Sequence, residues 1–78
     1  MSNERQILLQ KMQRLLPHWQ QHNDEHINEM ERWQHQLLAQ ELTELAQSIA
    51  DVVVQMKTTG QRLQQAQDTV TTYSDKSA

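Results

Sequence analysis

The sequence contains no cysteine and no phenylalanine, one proline (Pro17), one glycine (Gly60) and one tyrosine (Tyr73). Without cysteine there is neither a disulfide nor a thiolate metal site. With so little glycine and proline the chain lacks the turn punctuation of a β-protein and reads as all-α. No apolar run approaches the roughly 20 residues that span a bilayer. The opening Met1-Ser2-Asn3-Glu4-Arg5-Gln6 is polar and has no signal-peptide core. A cytoplasmic protein with no membrane partner is therefore expected. Positive charge is scarce as well: 7 Lys and Arg stand against 10 Asp and Glu, for a formal charge of -3, which argues against nucleic acid as a partner.

A chain of 78 residues is one small domain. It buries only part of its surface, and chains of this size need a disulfide, a metal or a partner. The first is excluded, so the other two gain weight.

What is present is helical periodicity. Asn3 and Gln6 form a capping-box pattern that starts a helix near Glu4. From there Leu8, Met12, Leu15, Trp19, His22, His26, Met30, Trp33 and Leu37 follow one another at three- and four-residue steps. This stripe places His22 and His26 in a packing seam. Pro17 removes a backbone donor and predicts a kink near residues 16–17. A second stripe runs Leu42, Leu45, Ile49, Val52 or Val53, Met56, Gly60, Leu63, Ala66 or Gln67, and Val70. The β-branched Val52-Val53-Val54 is embedded in it and is read as helix.

Two chain paths fit this pattern. In one, the chain breaks at Pro17 and again at Thr58-Thr59-Gly60. In the other it turns near residues 39–42, with Thr43 as an N-cap, and forms a long antiparallel hairpin. The second is favoured because folding about residue 40 pairs positions whose numbers sum to about 80, which sets Gly60 opposite Trp19. The expected architecture is one domain, residues 1–78: a helix over about 3–39, a helix over about 42–72 and a frayed tail over 73–78. One hairpin leaves a wide apolar face, so a homodimeric four-helix bundle is expected.

The densest chemistry lies in His18-Trp19-Gln20-Gln21-His22-Asn23-Asp24-Glu25-His26, with Glu29 three residues on. This stretch, with Trp33 and Glu44-Leu45-Ala46 after it, resembles a small prokaryotic helical-hairpin family marked by an H-W-x-x-H-N-x-x-H signature. The likeness runs from about Leu8 to Leu63. It implies a hairpin with glycine in the turn, where this chain has Gln40 and Glu41, and it implies no chemistry.

Histidines at i and i+4 point the same way from a helix, an arrangement used to present two ligands to one ion. His18 and His26 are separated by roughly 12 Å of helical rise, so all three cannot serve one ion. The compact ligand set is His22, His26 and Glu29, with His18 and Asp51 peripheral and Asp51 expected across from Glu29. The ion would be a divalent transition metal such as Zn, Ni or Co, and two such sets facing across a dimer axis would enclose it in a bundle. The competing reading is structural: an interaction module, docking on itself or on a protein partner, whose histidines form a buried polar network with Glu25, Glu29 or Asp51. A catalytic or pH-switch role ranks third. No nucleophile motif or phosphate loop is present, and a two-arm bundle has little room for a substrate, so an enzyme is not expected.

Overall fold

The computed structural model describes residues 3–77. It contains two helices, α1 (Asn3–Ala39) and α2 (Thr43–Ser77), packed antiparallel into a rod of 59 × 14 × 14 Å. The chain is an all-α helical hairpin, so the path with a break at residues 58–60 is excluded. Thr58 and Thr59 are helical, and their hydroxyls donate to the carbonyls of Val54 (3.3 Å) and Gln55 (3.1 Å) one turn back. α1 is likewise continuous across Pro17.

The turn explains why local signals there were weak. Glu41 N–H donates to the Leu38 carbonyl (3.0 Å) and Leu42 N–H to the Leu37 carbonyl (3.0 Å), the bond pair of a Schellman ending. Such an ending needs a residue in the left-handed region, usually glycine. Here Glu41 takes it, with φ 62°. Leu42, not Thr43, is the residue that flanks the start of α2, since its carbonyl accepts the Ala46 N–H (2.9 Å). A leucine offers no side-chain oxygen to cap the free N–H groups. Because an L-residue at positive φ costs roughly 1–2 kcal/mol, Glu41→Gly is expected to stabilise the hairpin by about 1 kcal/mol. A rise of about 4–8 °C in the thermal midpoint, followed by circular dichroism, would register it.

The intrachain seam differs in phase from the expected stripe. On α1 the buried and half-buried residues are Leu9, Met12, Leu16, Gln20, Asn23, Ile27, Met30, Gln34 and Leu37, flanked by Glu31. On α2 they include Ala46, Ile49, Val53, Met56, Gly60, Leu63, Gln67, Val70 and Ser74. Only Met12, Met30 and Leu37 of α1 belong to both patterns. His22 and His26 are exposed, contrary to the seam position expected for them. Three polar residues hid the true seam: Gln20, Asn23 and Gln34 occupy positions where an apolar count looks for leucine. Two of them, Asn23 and Gln20, are accommodated by hydrogen bonds to α2. Asn23 Nδ2 donates to the Met56 carbonyl (2.9 Å), and the Gln67 side chain donates to that of Gln20.

These contacts also correct the register. Gly60 faces Asn23 and Asp24, not Trp19. A Cβ on it would lie 3.3 Å from Asn23 Nδ2. Pairs such as Asn23 with Gly60 sum to about 83, because the turn is centred near Glu41 instead of residue 40. α2 runs to Ser77, beyond the end expected near residue 72. Tyr73 lies under the Arg5 guanidinium (5.7 Å to the ring centre), and Ser74 accepts a hydrogen bond from Gln13 (2.8 Å). Ala78 lies outside the described residues.

Candidate functional site

The core of the hairpin is thin. Among the described residues, the buried apolar side chains are Leu16, Ile27, Ala46, Val53 and Val70. Meanwhile Leu8, Leu15, Trp19 and Trp33 on α1 and Leu45, Val52 and Tyr73 on α2 are exposed, Trp33 by 56%. Their positions are not scattered. Leu8, Leu15, Trp19, His22, His26 and Trp33 each immediately precede a seam residue: Leu9, Leu16, Gln20, Asn23, Ile27 and Gln34. One residue is a 100° rotation, so they form a second stripe nearly at right angles to the seam.

On α2 the same relation holds toward the two ends, with the polar Gln55, Thr59 and Arg62 between. Leu45, Val52, Ala66 and Tyr73 precede Ala46, Val53, Gln67 and Ser74. In an antiparallel pair, rotation toward the preceding residue carries both helices to the same side. Both second stripes therefore lie on one face of the hairpin. A groove lined by Leu8, Leu9, Met12, Arg5 and Tyr73 is where the two stripes meet at one end of the rod. The opposite face follows from the residues after each seam position, among them Gln13, Pro17, Asp24, His35, Lys57, Gln61, Gln64 and Thr71. It is polar apart from Leu38 and Val54 and carries the Lys57–Glu31 ion pair (3.5 Å). The hairpin as a whole is thus amphipathic.

The histidine ladder lies on the apolar face. His22 Nε2 and His26 Nε2 are 3.1 Å apart, and the two rings are tilted by 54° with centroids 4.5 Å apart. One ring donates to the other, so one of the two Nε2 atoms carries hydrogen and the other offers its lone pair. Glu29 Oε2 lies 3.9 Å from Nδ1 of His26, on the other side of the ring from His22. A carboxylate there favours hydrogen on Nδ1 and leaves Nε2 as the lone-pair nitrogen. Glu29 therefore addresses the ring from behind and does not converge with the two Nε2 atoms. His18 stacks on His22 at a longer distance (ring centroids 6.3 Å, planes 18° apart) and lines a groove with Lys11, Arg14 and Leu15. Asp51 is not across from Glu29. It falls two residues from both Ile49 and Val53, which turns it outward from α2, and it accepts a hydrogen bond from Gln47 (3.0 Å). His35 is on the polar face.

Of the five residues expected to form a metal site, the fold brings together His22 and His26, sets Glu29 behind one of them, and separates His18 and Asp51 from the pair. Among the described residues, no group of three or more His, Asp or Glu is placed to hold a metal ion within one chain. Nor is any polar or charged side chain buried among them. What sequence reasoning missed is the contribution of α2 to this face. The available signal was pairwise: an apolar residue directly before a seam residue, repeated along both helices.

Among the described residues no helix is long and apolar enough to cross a membrane. No curated protein and no solved structure matches the chain. The model of one family, described as Domain of unknown function (DUF8180), matches residues 12–70, a span that takes in the ladder, the turn and most of both stripes, and the chain belongs to that family.

Proposed function

We propose that the protein is a non-enzymatic self-association module: two copies pack through the Leu15–Trp19–Trp33 face into a four-helix bundle. The observation that carries this reading is the second stripe, present on both helices and directed to one side. Two apolar stripes at roughly 90° on each helix are the pattern of a helix in a four-helix bundle, which has two neighbours in contact. A helix in an isolated hairpin needs only one.

Area supports the same reading. A compact monomer of 9.2 kDa exposes about 4,900 Å². The hairpin exposes 6152 Å², an excess of about 1,200 Å², and a standard protein–protein interface buries about 800 Å² from each partner. A second copy suits this face because its length and stripe spacing match by identity. In its favour too, His22, His26, Trp19 and Trp33 share the face.

The test is the mass of the untagged protein by light scattering at tens of micromolar. The expected value is about 18 kDa, twice the chain mass of 9.2 kDa. A helical protein with the mass of one chain would overturn the reading. Capture of a different protein by a chain that stays monomeric would favour the interaction-module alternative.

A further inference from the structure

We propose that His22 and His26, together with the same two residues of a second copy, form a four-imidazole site for a divalent transition ion on the two-fold axis of the dimer. The inference rests on the self-association proposed above and gives that face a ligand.

Three observations carry it. The first is the spacing of the nitrogens. Two ligands about 2.05 Å from one ion are about 3.3 Å apart at a tetrahedral angle and about 2.9 Å apart at a right angle. The observed Nε2–Nε2 distance of 3.1 Å lies between these. One chain therefore presents a pair of nitrogens at chelating separation, with the Glu29 carboxylate behind the His26 ring at 3.9 Å, where it disposes the imidazole to bind through Nε2.

The second is the charge around the pair. Between Arg14 and Arg32, α1 has no lysine or arginine, while Asp24, Glu25, Glu29 and Glu31 all fall in that interval. Glu31 is paired with Lys57 (3.5 Å) and Arg62 of α2 precedes the seam residue Leu63 on the side of the ladder, so the carboxylates that draw a divalent cation to the ladder are Glu25 and Glu29 of α1.

The third is self-complementarity. When α1 packs antiparallel on α1 of a second copy with the two-fold axis midway between His22 and His26, facing residues have numbers that sum to 48. His22 of each chain then faces His26 of the other. Leu15 faces Trp33 on either side, and Trp19 lies over the Glu29–Met30 turn. Leu9 is level with Ala39, so nearly the whole of α1 overlaps. The same axis that closes apolar contacts at both ends brings four Nε2 atoms to the centre. One chain offers two ligands, which is too few for a closed structural site. Two chains offer four, all nitrogen, a set suited to zinc, with cobalt as its spectroscopic substitute.

The experiment is a calorimetric titration of untagged, metal-free protein with zinc chloride, with the mass measured by light scattering before and after. The expected result is one zinc per two chains on a dimer that exists both with and without metal. His22→Ala and His26→Ala are each expected to weaken zinc binding by about 100-fold or more, and both variants keep the dimeric mass, because the apolar contacts remain. Glu29→Gln is expected to weaken binding by roughly 10-fold, as the loss of a carboxylate behind a ligating ring does. His18→Ala and His35→Ala leave it unchanged. With cobalt, the dimer is expected to show the intense visible absorption of a tetrahedral site.

The outcomes separate the two proposals. A dimer that takes up no zinc, or takes it up undiminished by His22→Ala, overturns the metal site and leaves self-association standing. Zinc bound at one ion per chain overturns the shared site. A monomer with and without zinc overturns both.

Discussion

Replacing Leu15 and Trp33 together by lysine is expected to convert the protein from a species of two chains to one with the mass of a single chain. Within the hairpin both residues are exposed, by 37% and 56%, and neither belongs to the seam with α2. Lysine at these positions meets water in the isolated hairpin and costs it little. Across the proposed two-fold axis, however, Leu15 of one copy packs on Trp33 of the other. The double variant then places four ammonium groups between the copies, with Glu29, one turn before residue 33 and already beside His26, as the carboxylate on that face, so two of the four charges per dimer have no partner. Desolvating unpaired charges costs several kcal/mol per ion. Even a fraction of that, about 4 kcal/mol in total, weakens association roughly 1,000-fold. A matched pair on the polar face, Gln21→Lys with Gln61→Lys, adds the same charge and is expected to leave the dimer intact. Light scattering on both variants decides it. Persistence of the dimer in the Leu15, Trp33 variant would mean that copies associate through some other surface.

Ile27→Ala is expected to have the largest effect on stability of any single truncation. Ile27 is 8% exposed and lies at the middle of the seam, beside Gly60 of α2. Loss of a buried isoleucine side chain costs about 2–5 kcal/mol, more where the surroundings do not collapse into the space. Here they are two helices whose local spacing is fixed by the Asn23–Met56 hydrogen bond (2.9 Å). With Leu16, Ala46, Val53 and Val70 as the remaining buried apolar residues among those described, the variant is expected to lose its cooperative thermal transition at or below 37 °C. Ile7→Ala serves as the control, since Ile7 is exposed by 47% and its truncation is expected to change stability by no more than about 0.5 kcal/mol. Equal effects at the two positions would contradict the phase of the seam described above.

That phase is where the sequence was hardest to read. The all-α class follows from glycine and proline scarcity, and the hairpin from two long periodic arms. The seam did not follow, for a physical reason. Each helix carries two apolar stripes, and Leu8-Leu9 and Leu15-Leu16 put a residue of each side by side. A count that steps by three and four can pass from one stripe to the other without penalty. Polar residues in the true seam, Gln20 and Asn23 above all, and aromatic residues outside it drew the count to the wrong stripe. The turn was obscured differently, because Glu41 occupies a left-handed position where glycine would have marked it. For the histidines, i and i+4 spacing was enough to pair His22 with His26. It was not enough to show that Glu29 stands behind the pair, or that the outward orientation of Asp51 removes it.

The most direct test of the account is the distance between the two turns of the proposed dimer. The chain has no cysteine, so a single nitroxide introduced through Gln40→Cys labels each copy once, at an exposed residue outside both stripes. With the two-fold axis midway between His22 and His26, the labels lie 16 residues from the axis on either side, about 48 Å apart at the helical rise. Pulsed electron–electron resonance is expected to give one population centred near that distance, to within the reach of the label. A population near 20 Å would place the turns at the same end and contradict the antiparallel pairing of α1, and with it the shared histidine site.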